Sequence, residues 1–99
     1  MIIRVWTCRL KSGAEKAFEK FALEDALPLL RRQDGCLNGF FGFDDSQPAK
    51  AVVVTVWRDL EALKGFTGEN WREPFIHPNE AGLLAEKPRV EHYSLLGAL

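Results

Sequence analysis

The chain has 99 residues, 46% of them hydrophobic and 27% charged, with a formal net charge of −1. These values describe one soluble globular domain over residues 1–99, too short for two cores and short enough to gain from burial at a subunit interface. No basic run and no apolar run of membrane-spanning length is present, which excludes nucleic acid and membrane as partners.

Ile2 to Leu10 alternates weakly. Ile3 and Val5 share one face; Ile2, Trp6, Cys8 and Leu10 share the other. Apolar groups on both faces predict a central strand covered on both sides. Arg4 and Arg9 interrupt the apolar residues and no small-residue cleavage site follows, so this is a strand and not a signal peptide, and the expected location is cytoplasmic.

Ser12-Gly-Ala-Glu15 predicts a capping box and a helix after it. Phe18, Phe21, Ala22 and Leu29 form its buried stripe, and Pro28 ends or kinks it. Asp34-Gly35 closes the segment, with Gly35 free to take positive φ. Cys36 to Asp44 reads as a strand with Leu37, Phe41 and Phe43 on one face and Asn38 and Phe40 on the other; Gly39 and Gly42 mark a bulge or a close approach. Asp45 to Pro48 is a turn. Lys50 to Arg58 is a β-branched strand expected to be buried on both faces, paired with its predecessor as a hairpin. Cys8 and Cys36, on strands, are expected to be reduced thiols and not a metal site.

Asp59 caps a short helix whose inner stripe is Leu60, Leu63 and Phe66 or Thr67. Glu69 to Phe75 and Glu80 to Leu84 are predicted as further helical turns. Pro88 opens a last strand, Arg89 to Leu96.

Strand, helix, strand, strand, helix, strand is the ferredoxin-like split βαβ pattern: an α+β sandwich with a four-stranded antiparallel sheet and two helices on one face. The other face is too apolar to stay wet. A second copy packed face to face is the simplest cover, so the chain is expected to be a homodimer through that face.

Asp34-Gly-Cys-Leu37, an aromatic strand ending in Asp44-Asp45, Ala51-Val-Val-Val-Thr-Val-Trp57 and Leu60-Glu-Ala-Leu63, in this order and spacing, resemble the antibiotic biosynthesis monooxygenase domain over nearly the whole chain. The resemblance implies a dimeric α+β barrel. Some relatives oxidise aromatic polyketides with molecular oxygen and neither metal nor flavin, some are quinol monooxygenases, and one branch binds and degrades haem. Many members carry a histidine just after the helix start, where this chain has Phe66. The haem-degrading branch uses an asparagine on the first strand, a tryptophan on the second helix and a histidine further on. Only His77 lies where one of these would fall.

The chemistry therefore centres on the aromatic, Gly- and Pro-punctuated stretch from Gly65 to Tyr93. A cofactor-free oxygenase needs a dry aromatic slot and a general base. His77 and His92 are the candidate bases, because histidine titrates near working pH. Trp71, Phe66 and Phe75 are placed to sandwich a planar ring, with Tyr93, Trp57 and Asn38 as further candidate substrate-binding residues. His92 and Tyr93 point to opposite faces of the last strand, one toward the pocket and one toward the dimer interface. Arg4 is a candidate polar lining residue whose default is a solvated or interface position. The function expected is oxidation of a small phenolic or quinol compound with no bound cofactor. The alternatives are a non-catalytic module that binds a small aromatic molecule, and haem binding through His77.

Overall fold

The computed structural model describes all residues, 1–99. Strand β1 (Ile2–Arg9) leads to a helical segment made of α1 (Glu15–Phe21), a π turn (Ala22–Ala26) and α2 (Leu27–Arg31). The hairpin of β2 (Cys36–Phe43) and β3 (Lys50–Trp57) follows, then α3 (Leu60–Thr67), the single turn α4 (Pro78–Ala81) and β4 (Arg89–Ser94). The sheet is antiparallel in the order β2-β3-β1-β4, the ferredoxin-like arrangement, and does not close on itself.

Period-two alternation decides the two faces. Trp6 and Cys8 of β1, Leu10 just after it, and Ala51 and Trp57 of β3 are buried beneath the helices. One apolar cluster gathers Trp6, Cys8 and Leu10 with Phe18, Phe21 and Ala26; a smaller one joins Leu30, Trp57 and Leu63. The opposite face carries Ile3, Val5, Val52 and Val54, half-buried, with Phe40 and Tyr93 exposed at 59% and 51%.

Several local expectations are corrected. The helix begins at Glu15 with Ala14 at the cap position and no capping side chain, so Ser12 caps nothing. Gly13, at φ 80°, turns the chain between them and carries the serine away from the first helical amides. Pro28 does not end the helix. Its missing amide and its crowding of the carbonyl four residues back are absorbed by the π turn just before it, which makes room for one extra residue. The extra residue moves the buried stripe to Ala26 and Leu30, so Leu30 is buried and Leu29 only partly so.

In β2 the register slips between Cys36 and Asn38. Cys36 thereby packs against the Leu30–Trp57–Leu63 cluster, and Leu37 is left 50% exposed instead of facing the core with Phe41 and Phe43. Neither Gly39 nor Gly42 forms the bulge. Asp59 caps α3 by accepting from the Ala62 amide at 2.8 Å. Glu69 to Phe75 forms no helical turn: it is a tight turn, closed by Glu73 N–H to the Asn70 carbonyl at 2.9 Å, followed by extended chain. The turn expected at Glu80 to Leu84 starts earlier, at Pro78, because His77 supplies the cap.

Candidate functional site

A cavity of about 60 Å³ lies between the sheet and the helical layer. Its floor is Arg4, Trp6, Phe41, Val53 and Thr55; its roof is Phe21, Ala26, Leu29, Leu30, Phe66, Phe75, His77 and Glu80. Most of this lining is apolar or aromatic, and the polar groups are few.

Arg4 is the least expected of them. It is in phase with Trp6 and Cys8, so β1 directs it under the helices, where it is 4% exposed. Its Nη1 donates to the Trp71 carbonyl and to His92 Nε2 at 2.8 Å, and its Nη2 donates to the Glu73 carbonyl at 3.1 Å. The guanidinium thus pins the 68–77 loop to β1 and β4. No carboxylate lies within ion-pair distance of it. Burial lowers its pKa to about 10, which leaves it a cation at neutral pH. A guanidinium has five N–H donors. Three are used here, so Nε–H and one Nη2 hydrogen have no protein partner.

The extended chain before α4 alternates, so Phe75 and His77 line the cavity while Ile76 is 40% exposed. His77 and Glu80 then form a reciprocal cap. His77 Nδ1 accepts from the Asn79 amide at 3.0 Å, and Glu80 accepts from the His77 amide at 2.9 Å. The cap pulls Glu80 inward to 6% exposure. Burial raises its pKa to about 7, opposed only by the bond from the His77 amide. The carboxyl group therefore exchanges a proton near neutral pH. Trp6, also in the wall, has a buried Nε1–H with no partner at all.

Of the residues singled out from the sequence, Phe66, Phe75 and His77 line the cavity. The Phe66 and Phe75 rings are 4.8 Å apart, and His77 packs at 5.3 Å from Phe21. His92 lies on the helix side of β4 but behind Arg4, edge-on to Trp71 at 4.9 Å. Accepting from Arg4 requires Nε2 to be unprotonated. Burial first, then the Arg4 and Arg72 charges, lower the His92 pKa accordingly. Trp71 contributes its carbonyl, not its ring, and its ring carries the Arg72 guanidinium at 4.7 Å. Trp57 is fully buried behind the cavity, stacked on Phe66 at 5.4 Å, with Nε1 donating to Thr55 Oγ1 at 2.9 Å. Tyr93 and Asn38 are exposed, on strand positions facing the other side of the sheet. No three His, Cys, Asp or Glu side chains cluster closely enough to hold a metal ion.

Residue type does not mark Glu80 as a site residue, and Trp6 on its central strand reads first as core packing. Glu80 had a signal: Pro78 and Glu80 stand at the first and third positions of a helical turn, where a cap carboxylate belongs.

An α+β sandwich of this topology, with one sheet face under helices and an aromatic cavity beneath them, is a ferredoxin-like domain. The family model for antibiotic biosynthesis monooxygenase matches residues 1–71, and the chain belongs to that family. Phe75, His77, Glu80 and His92 all lie beyond the matched segment. A Bordetella bronchiseptica protein provisionally named an antibiotic biosynthesis monooxygenase is 21% identical, with a TM-score of 0.74 over 96% of each chain. A Nitrosomonas europaea protein of unknown function is 24% identical, with a TM-score of 0.76 over 99% of this chain and 91% of that one. A Deinococcus radiodurans protein, also provisionally named for the family, is 18% identical, with a TM-score of 0.77 over 100% and 96%. At these identities the likeness is one of fold. No protein of curated function matches the sequence.

Proposed function

We propose that the chain is a small monooxygenase that oxidises a phenolic or quinol ring with molecular oxygen and no bound metal or flavin. The observation that supports this reading is the cavity: a slot roofed by Phe66 and Phe75 whose wall holds a carboxyl group that titrates near pH 7. A phenol must lose its proton before the ring can pass an electron to oxygen. Recombination of the ring radical with superoxide then makes the new C–O bond, and loss of water from the hydroperoxide leaves the quinone. A buried aromatic slot keeps bulk water from the radical pair and stacks the ring. At about 60 Å³ the cavity is far too small for a porphyrin, which weighs against haem, and its roof has to move outward to admit a single ring.

Oxygen consumption against a panel of phenols and quinols, with enzyme dialysed against chelator, tests this. Turnover is expected for at least one single-ring substrate. His77→Ala is expected to slow it, since His77 both lines the slot and caps α4, and His92→Ala to raise KM by loosening Arg4. Uptake with no member of the panel, alongside ligand-induced melting shifts, would instead mark a binding module.

The working unit in this proposal is a homodimer formed through the open sheet face. Phe40 and Tyr93 are too exposed for apolar and aromatic groups on a face whose centre is valine. Val54 sits in the middle of it, opposite Val5 on β1 and Phe40 on β2. Val54→Arg is expected to convert a dimer to a monomer in light scattering coupled to gel filtration. An unchanged mass, or a wild-type monomer at micromolar concentration, overturns the dimer.

A further inference from the structure

We infer that Glu80, and neither histidine, takes the proton from the substrate, and that Arg4 holds the anion left behind. The inference deepens the reading above and rests on it for the oxidation, but not for the binding.

Two observations meet in one cavity. Arg4 is a buried cation with no carboxylate partner and two N–H donors unused. Unused donors and an unneutralised buried charge cost free energy, and one anionic oxygen would relieve both. Glu80 faces the same space, buried, accepting only the His77 amide and paired with no cation. Nothing on the protein neutralises Arg4 or Glu80; a ligand that brings an acidic O–H does.

The step balances without any further reactant. The phenolic O–H bond breaks, its proton moves to a Glu80 oxygen, and the phenolate is left between the Arg4 cation and a neutral carboxylic acid. When the ring has been oxygenated, the same carboxylic acid returns the proton to the leaving peroxide oxygen. The histidines are occupied elsewhere. His92 Nε2 is the acceptor that fixes Arg4, which makes His92 a positioning residue. His77 Nδ1 is committed to the Asn79 amide. Arg4 selects for one acidic oxygen on a ring: a phenol, or a quinol entering by one of its two hydroxyls. A ring without such an oxygen leaves both donors unpaired.

Two measurements separate the binding claim from the oxidation. 4-Nitrophenol absorbs at different wavelengths as phenol and as phenolate, so its bound form can be read directly. Wild-type protein is expected to bind it as phenolate at a pH where the free compound is mainly phenol. Arg4→Gln is expected to bind it at least tenfold more weakly or in the neutral form. A neutral bound probe in the wild type overturns the role of Arg4. In oxygen uptake, Glu80→Gln keeps the acceptor for the His77 amide and is expected to lower kcat about 100-fold with KM changed less than threefold. The loss is expected to shrink for electron-poor phenols that are already ionised. Glu80→Gln with wild-type kcat sinks the Glu80 assignment and leaves the oxygenase reading standing. Phenolate binding without any oxygen uptake does the reverse.

Discussion

Gly35→Ala is expected to destabilise the fold by about 2–5 kcal/mol, as large an effect as truncating a core side chain. Two causes add. Gly35 stands at φ 84°, where an alanine costs about 1–2 kcal/mol. A Cβ there would also drive into the Cβ of Ala62, with the Arg58 guanidinium 3.4 Å away on the other side. Ala62 does not yield cheaply, because it belongs to the first turns of α3, held by the Asp59 cap, and the Gly35 carbonyl is fixed by the Arg58 amide at 2.8 Å; the Arg58 guanidinium is only in ordinary contact. Urea unfolding of Gly35→Ala, Ala62→Gly and the double variant separates the causes. The second change should recover the steric part and leave the backbone part. A double variant no more stable than Gly35→Ala would mean that the clash is relieved by a shift elsewhere. The consequence reaches the site, because α3 carries Phe66 into the cavity roof.

That glycine was readable from the sequence, and the reason separates the legible parts of the chain from the rest. Asp34-Gly35 follows a helix and precedes a strand, so local chemistry alone assigns its conformation. The two-faced apolar pattern of β1 and β3 is similarly local, and it gave the central strands, their order in the fold and the bare sheet face. Failures begin where a single-residue slip decides the outcome. The π turn before Pro28 moved the buried position from Leu29 to Leu30, and the register slip in β2 moved Leu37 from core to surface. Composition cannot reveal either, because each is a response to packing against distant segments.

The site shows the same division. Phe66, Phe75 and His77 follow from aromatic and imidazole groups gathered on a punctuated stretch. Residue type alone puts Arg4 in a solvated or interface position, because arginine usually sits there. What holds it instead is a pair of main-chain carbonyls at Trp71 and Glu73, which any residue types could have supplied. Alternation alone placed Arg4 in phase with Trp6 and Cys8, and that phase was the better guide. Residue type singles out the histidines as candidate bases; in the structure His92 Nε2 bonds Arg4 and His77 Nδ1 caps a helix turn. Glu80, in the cavity wall beside His77, is a buried carboxyl group that residue type alone does not mark.

The pH dependence of stability follows from that carboxyl group and runs against the common pattern for acids. Glu80 has a folded pKa of about 7, above the ordinary carboxylate value of 4.5. Between those values the folded chain binds more protons than the unfolded one, so stability falls as pH rises through the interval. The loss is complete above about pH 7 and is on the order of 3 kcal/mol. His92 acts in the opposite sense. Its folded pKa lies below 6.5, so the unfolded chain binds the extra proton and stability falls as pH drops below that value. Arg4 sharpens this, since a protonated His92 would lose the bond from Nη1 and face a cation 2.8 Å away. The wild type is therefore expected to be most stable on the acid side of neutrality, with the two slopes partly cancelling between pH 5 and about 6.5. Glu80→Gln removes the Glu80 slope and should gain stability at pH 8 while gaining little at pH 4.5, exposing a monotonic rise with pH that belongs to His92. Melting temperatures of both proteins from pH 4.5 to 8.5 measure this. A Glu80→Gln protein no more stable than wild type at pH 8 would mean that Glu80 is already ionised and solvated at neutral pH, and with it would go the dry carboxyl group on which proton transfer in the cavity depends.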